Sequence, residues 1–102
     1  MIRLFIADDH AIVREGMRRL FETSKDIAVV GEASDGREVL VAAETHDWDV
    51  LVLDLSLPRV SGLEVLRRMR RDHPTLPVVV LSMYPEEAFA PRVLAEGAVA
   101  YV

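Results

Sequence analysis

Two aspartates in succession, Asp8 and Asp9, close an apolar run near the start of the chain; Asp54 closes a second such run and Ser82 a third. Carboxylates gathered at one place do two kinds of chemistry. They bind a hard divalent cation through oxygen, and one of them, once its charge is balanced, can act as a nucleophile toward a phosphoryl group. Two like charges about 4 Å apart repel by roughly 4 kcal/mol at an effective dielectric near 20, so such a cluster calls for a cation. Mg²⁺, which prefers oxygen and keeps several waters, fits a set of aspartates. Taken singly, each residue has a plainer use: Asp9 capping a helix, Asp54 opening a turn, Ser82 sitting satisfied at a loop entrance. Only joint placement makes them a site, and that depends on the elements that carry them.

Short runs rich in Val, Ile and Leu alternate with longer stretches whose apolar residues recur at helical spacing, which is the pattern of a parallel α/β sheet. The predicted strands are Ile2 to Ala7, Ile27 to Ala33, Val50 to Asp54 and Val78 to Ser82, with a fifth beginning at Ala100. Runs such as Val50-Leu51-Val52-Leu53 are apolar at every position, as strands covered on both faces must be. Ligands of open parallel sheets bind beyond the carboxyl ends of the strands, near the point where strand order reverses. With strands one, three and four as neighbours, Asp8, Asp9, Asp54 and Ser82 converge there.

A first helix is predicted from about Ala11 to Thr23, with Val13, Met17, Leu20 and Phe21 as its buried stripe. Asp35 with Glu38, and Ser61 with Glu64, have the spacing of reciprocal caps for the second and third helices. Val39, Leu40, Ala42 and Ala43 would face the core from the second, and Leu63, Leu66 and Met69 from the third, which His73-Pro74 ends. A fourth helix between Glu86 and Glu96 contains Pro91, so it either kinks there or starts late, and Gly97 closes it.

The chain has 102 residues, 51% of them hydrophobic, enough for a single small domain and its core. No apolar run approaches the roughly 20 residues of a membrane span, and Met1 leads straight into a strand, so a cytoplasmic location is expected. The absence of cysteine removes disulfides and thiolate metal sites, and the three histidines are scattered in sequence. A net charge of −5 disfavours direct binding to nucleic acid. Arg67, Arg68, Arg70 and Arg71 are read as a solvated helix face rather than a phosphate-binding patch. His10 is expected at the pocket rim, and Trp48 as an anchor for the loop before the third strand.

Ala7-Asp8-Asp9-His10, then Asp54-Leu55-Ser56-Leu57-Pro58 followed by Gly62, then Ser82 and Tyr101, resemble over the whole chain the receiver domains of bacterial response regulators. Asp-His feeding Ile12-Val13-Arg14-Glu15-Gly16-Met17, with Ser82-Met83 and Glu96-Gly97-Ala98, is similar to the NarL/FixJ subgroup in particular. The resemblance implies a doubly wound, flavodoxin-like five-stranded parallel sheet of order 2-1-3-4-5. It makes Asp54 the phosphoacceptor, Ser82 the switch hydroxyl and Tyr101 the switch aromatic. It assigns Mg²⁺ to Asp9, Asp54 and the backbone carbonyl of Ser56, with Asp8 acting through a bound water, and gives Ser56 and Tyr84 a part in tuning the lifetime of the phosphorylated state. The implied phosphodonor is a sensor histidine kinase, with a possible homodimer on activation. Contact with DNA is implied only through a C-terminal helix-turn-helix output domain not present in these residues.

Two departures accompany it. The family carries a lysine three residues after the switch aromatic, and this sequence stops one residue after Tyr101. The chain is therefore expected to be a receiver domain over 1–102 that is incomplete at its C-terminal end, truncated in the fifth strand and without the fifth helix, which in this fold shares a face of the sheet with the first. The resemblance implies a signalling phosphoacceptor that catalyses only its own phosphotransfer and dephosphorylation. A phosphorylation-independent pseudo-receiver usually lacks the acidic pair or the acceptor, and all are here. A haloacid-dehalogenase-type phosphohydrolase needs a second aspartate two residues after its nucleophile, where Ser56 stands. A flavin-binding module would want a phosphate-cradling loop where Asp8 and Asp9 lie.

Overall fold

The computed structural model describes the backbone of residues 1–81 and 86–102 and the side chains of 1–81 and 91–102. Its elements are β1 (Ile2–Ala7), α1 (Ala11–Phe21), β2 (Ile27–Ala33), α2 (Gly36–Ala43), β3 (Val50–Asp54), α3 (Gly62–Asp72), β4 (Val78–Leu81), α4 (Glu86–Ala95) and β5 (Ala100–Tyr101). All strand pairs are parallel and the sheet runs β2-β1-β3-β4-β5, so strand order reverses between β1 and β3. That is the doubly wound order expected, and it sets the carboxyl ends of β1 and β3 side by side.

Alternate strand residues face opposite ways, and one set makes the core. Phe5 and Ala7, Leu51 and Leu53, and Val78 and Val80 are buried with Val39 and Ala43 of α2, Val65, Leu66 and Met69 of α3, and Val93 of α4. The α3 stripe differs slightly from the predicted one, with Val65 fully buried and Leu63 only partly. Trp48 stacks on Phe5 with ring centroids 4.9 Å apart, anchoring the loop before β3 as expected. Helix α4 runs through Pro91 from Glu86 rather than starting late, and Gly97 with φ of 107° closes it.

On the other face the first helix departs from its predicted stripe. No α1 side chain is buried: Val13 and Leu20 are exposed, and only Arg14, Met17 and Phe21 are half-buried. The helix presents Arg14 inward because its guanidinium finds two partners there, the carbonyl of Asp8 and the carboxylate of Glu32. The two predicted caps form, with one difference. Asp35 accepts from the Glu38 amide at 2.8 Å and Ser61 from the Glu64 amide at 3.3 Å. The returning side chain of Glu38, however, accepts from the amide and hydroxyl of Ser34, while Glu64 pairs with Arg68. Both Ser34 bonds hold the Glu38 carboxyl below its ordinary range.

The arginines of α3 are mostly the solvated, ion-paired face predicted: Arg67 reaches Glu96, Arg68 reaches Glu64 and Arg71 reaches Asp72. Arg70 is different. It is half-buried and donates to the carbonyls of Gly97, His73 and Leu76, fastening the end of α3 to the turn after α4.

Candidate functional site

Asp8 follows β1 directly and Asp54 ends β3, and both are buried. Ala7 lies opposite Leu53 and Asp54 opposite Leu81, so the ends of β1, β3 and β4 come up level. Carboxylate oxygens of Asp8, Asp9 and Asp54 and a ring nitrogen of His10 all lie within 4.8 Å of one another. The pocket above them, of about 240 Å³, is lined by Asp8, His10, Val13, Asp54, Ser56, Leu81 and Val102. A larger groove of about 530 Å³ runs between α1 and β2 past Phe21 and Ile27, but no metal-ligating cluster occurs there among the described residues.

The loop after β3 explains the Pro58 and Gly62 offsets from Asp54. A Cβ on Gly62 would run into the carbonyl oxygen of Asp54, because α3 begins directly against the strand end, and the Gly62 amide donates to Leu55 at 3.1 Å. The Pro58 carbonyl accepts from the Gly36 amide at 3.2 Å, joining this loop to the start of α2, where a Cβ on Gly36 would meet the backbone of Val60. Arg59 takes a positive φ of 68° between these two fixed points and reaches Asp35 at 3.2 Å. Asp54 is thus held by backbone packing on both sides of its loop.

Burial pushes the Asp54 carboxyl above its ordinary value, and the neighbouring charges of Asp8 and Asp9 push it the same way. The Ser56 amide, donating to Asp54 Oδ1 at 3.1 Å, and His10 pull it back. His10 Nδ1 lies 3.0 Å from Asp8 Oδ1 and 2.9 Å from Asp9 Oδ1, and the His10 amide donates to Asp8 Oδ1 at 2.8 Å. The hydrogen bond with Asp8 raises the imidazole pKa first, and the charge of Asp9 adds to it. The cluster is therefore short of positive charge, and its donors are mostly hard carboxylate oxygens with no thiolate. That donor set fits Mg²⁺.

Of the residues singled out in the sequence, Asp8, Asp9 and Asp54 meet, and Ser56 lines the same pocket. Tyr101 packs against the hydrophobic core from β5, opposite Val80, and does not line the pocket. Ser82 and Tyr84 lie outside the described residues, although Leu81 reaches the pocket edge. His10, expected at the rim, is half-exposed there, and its ring nitrogen lies among the carboxylates of the acidic cluster. Its place directly after two aspartates was the available signal. Histidines distant in sequence also meet at the opposite end of the sheet, His46 and His73 with ring centroids 4.9 Å apart.

Known proteins agree with this architecture. The response regulator receiver domain profile matches residues 4–102. The response regulator UvrY of Escherichia coli is 36% identical over 102 residues, all of this chain and 47% of that protein, so the chain spans about half the length of such curated relatives. A LuxR-family two-component response regulator from Aurantimonas sp. superimposes with a TM-score of 0.86 at 39% identity, covering 97% of this chain and 71% of that one. The isolated receiver domain of RcsB from Salmonella enterica, solved with the phosphomimetic BeF3-, gives 0.90 at 32% identity, covering 99% and 75%. With its reversed strand order, its level acidic strand ends and relatives of NarL/FixJ type, the chain belongs to the response regulator receiver domain family.

Proposed function

We propose that Asp54 takes a phosphoryl group from the phosphohistidine of a sensor histidine kinase. The observation that carries this reading is the convergence of buried Asp54 with Asp8 and Asp9 at the switch point of the sheet. A carboxylate oxygen of Asp54 attacks phosphorus, the phosphorus–nitrogen bond breaks with its electron pair returning to the imidazole, and an acyl phosphate remains on Asp54. Asp9, Asp54 and the backbone carbonyl of Ser56 would hold Mg²⁺, with Asp8 acting through water. When bound, that ion supplies charge neutralisation to the carboxylates and the phosphoryl oxygens.

The new charge then biases a two-state surface, with Ser82 following the phosphoryl group, Tyr101 reporting its movement, and Ser56 and Tyr84 setting how long the state lasts. Residues 1–102 act as the receiver part of a longer cytoplasmic transcriptional regulator whose helix-turn-helix domain binds DNA, with homodimerisation on activation. Two observations support this: the relatives are about twice as long, and RcsB has been solved bound to promoter DNA with BeF3-. Among the described residues no helix is long and apolar enough to cross a membrane. Incubation with a small-molecule phosphodonor and Mg²⁺, followed by intact-mass and peptide mass spectrometry, should find one added phosphate that Asp54→Asn abolishes. Labelling that persists in this variant would remove Asp54 as the acceptor.

A further inference from the structure

Arg14 takes the inward position on a helix that offers Val13 and Leu20 instead. Its side chain is 19% exposed, against 45% for Arg18 and 74% for Arg19. One guanidinium nitrogen donates to the backbone carbonyl of Asp8, the residue that opens the acidic loop, and Nε pairs with Glu32 Oε1 at 3.2 Å. Glu32 is held in turn by Arg18 at 2.6 Å, one helical turn further along α1.

Glu32 reaches this face because of an irregularity in the sheet. The β1–β2 register shifts between Leu4 and Phe5: Leu4 lies opposite Val29, but Phe5 lies opposite Gly31 and Ile6 opposite Glu32. A strand shifted by one residue sends every later side chain to the other face, and bulges beside functional sites re-aim side chains in this way. Without the shift Glu32 would sit opposite Ala7, pointing into the apolar core; with it, Glu32 shares the α1 side with Ile6. Gly31 makes the shift possible, since a Cβ there would lie 2.7 Å from the Phe5 ring.

We propose that Arg14 is a positioning residue of the acidic site, fixed by the bulge-directed Glu32 and fixing in turn the backbone that presents Asp8, Asp9 and His10. The proposal rests on the phosphoacceptor reading for its purpose, but its geometry is independent of phosphoryl transfer. Partners of this kind, one step removed from the ligands, commonly carry about 10–100-fold of metal affinity. The sign of the effect separates positioning from electrostatics. Arg14 is a cation near a cation site, so removing its charge alone would tighten Mg²⁺ binding, whereas releasing the loop weakens it.

The test compares wild type, Arg14→Met, Arg14→Lys, Glu32→Gln and Arg18→Met by Mg²⁺ titration followed by NMR, with amide hydrogen exchange at Asp8, Asp9 and His10 in the absence of metal. Arg14→Met should weaken Mg²⁺ binding about tenfold and speed exchange at the Asp8 and His10 amides by a similar factor. Arg14→Lys and Glu32→Gln should fall between it and wild type, and Arg18→Met, which does not touch Asp8, should stay within about twofold. Unchanged or tighter Mg²⁺ binding in Arg14→Met, or exchange at these amides equal to wild type, overturns the proposal. Should Arg14→Met fail to fold, Arg14→Lys and Glu32→Gln decide by the same two readouts. A wild type that is never labelled at Asp54 but shows the exchange differences would sink the phosphoacceptor reading and leave the role of Arg14 standing.

Discussion

On one face of the sheet Phe5, Leu51, Leu53, Val78 and Val80 disappear beneath α2, α3 and the end of α4, where Val65, Leu66 and Met69 are almost wholly excluded from water. On the other, Leu4, Ile6 and Val52 are buried in the strands, yet α1 above contributes no buried side chain and Leu20 stands 70% exposed. The first face is joined by apolar burial, worth about 1.5–3 kcal/mol for each large side chain fully covered. On the second, α1 contributes the half-buried Met17 and Phe21 together with the Arg14, Glu32 and Arg18 pairs. Partly exposed pairs of that sort contribute about 0–1 kcal/mol each but fix direction closely. Within these 102 residues apolar packing is concentrated on the first face, while the second carries the ion pairs that reach the loop bearing the acids.

The sharpest way to break that comparison is to remove the same side chain from each face. Leu66→Ala, at a fully buried position, should cost about 2–5 kcal/mol, while Leu20→Ala on α1 should stay within about 0.5 kcal/mol of wild type. Urea denaturation of the two variants measures both, and equal losses would mean that α1 is part of the core after all.

A smaller effect contrasts two glycines. Gly62→Ala pushes a methyl group against the Asp54 carbonyl and should cost about 1–3 kcal/mol, because the obstacle is backbone that cannot step aside. Gly16→Ala on α1 meets nothing within 4 Å and should stabilise by about 0.5–1 kcal/mol through helix propensity alone. Thermal melts showing the same sign for both would contradict the packing described at the end of β3.

The smallest expected effect lies at the edge where the faces meet. Burial, with help from Asp8 and Asp9, raises the Asp54 pKa in the folded protein, so the native state holds this proton more tightly than the unfolded chain does. Its contribution is favourable below the unfolded pKa and is lost as pH rises through the folded one. In metal-free buffer, Asp54→Asn should therefore be more stable than wild type at neutral pH, and the advantage should shrink on acidification through the carboxylate range. A pH series of melts on the two proteins would show it, and added Mg²⁺ should narrow the neutral-pH gap by binding wild type preferentially. A variant less stable than wild type at pH 7 would mean that the Ser56 and His10 contacts outweigh burial.

Much of this was legible in the residues. Apolar runs marked the strands, and Asp35 and Ser61 marked the starts of α2 and α3, because strand runs and caps are written in neighbouring residues. The positions of Asp8 and Asp54 at the ends of such runs, together with the fold's known binding edge, were enough to bring the acids together. The relative rotation of packed elements was not legible. Val13 and Leu20 have the spacing of a buried stripe, yet α1 turns Arg14 to the sheet, since two oxygen acceptors wait for its guanidinium at places far apart in sequence. Glu38 fits a reciprocal cap on Asp35, yet it closes on Ser34. Arg70 belongs to a run of solvated arginines, yet the turn after α4 comes close enough to capture it.

What the sequence determined by itself was therefore the kinds of element, their order and the identity of the acids, all set by local pattern and by residue chemistry. What only the tertiary structure decided was which way each helix faces and the one-residue shift that turns Glu32 toward α1. The physical reason is that register and rotation are settled by contacts between distant segments, where one residue of slip reverses every side chain that follows it.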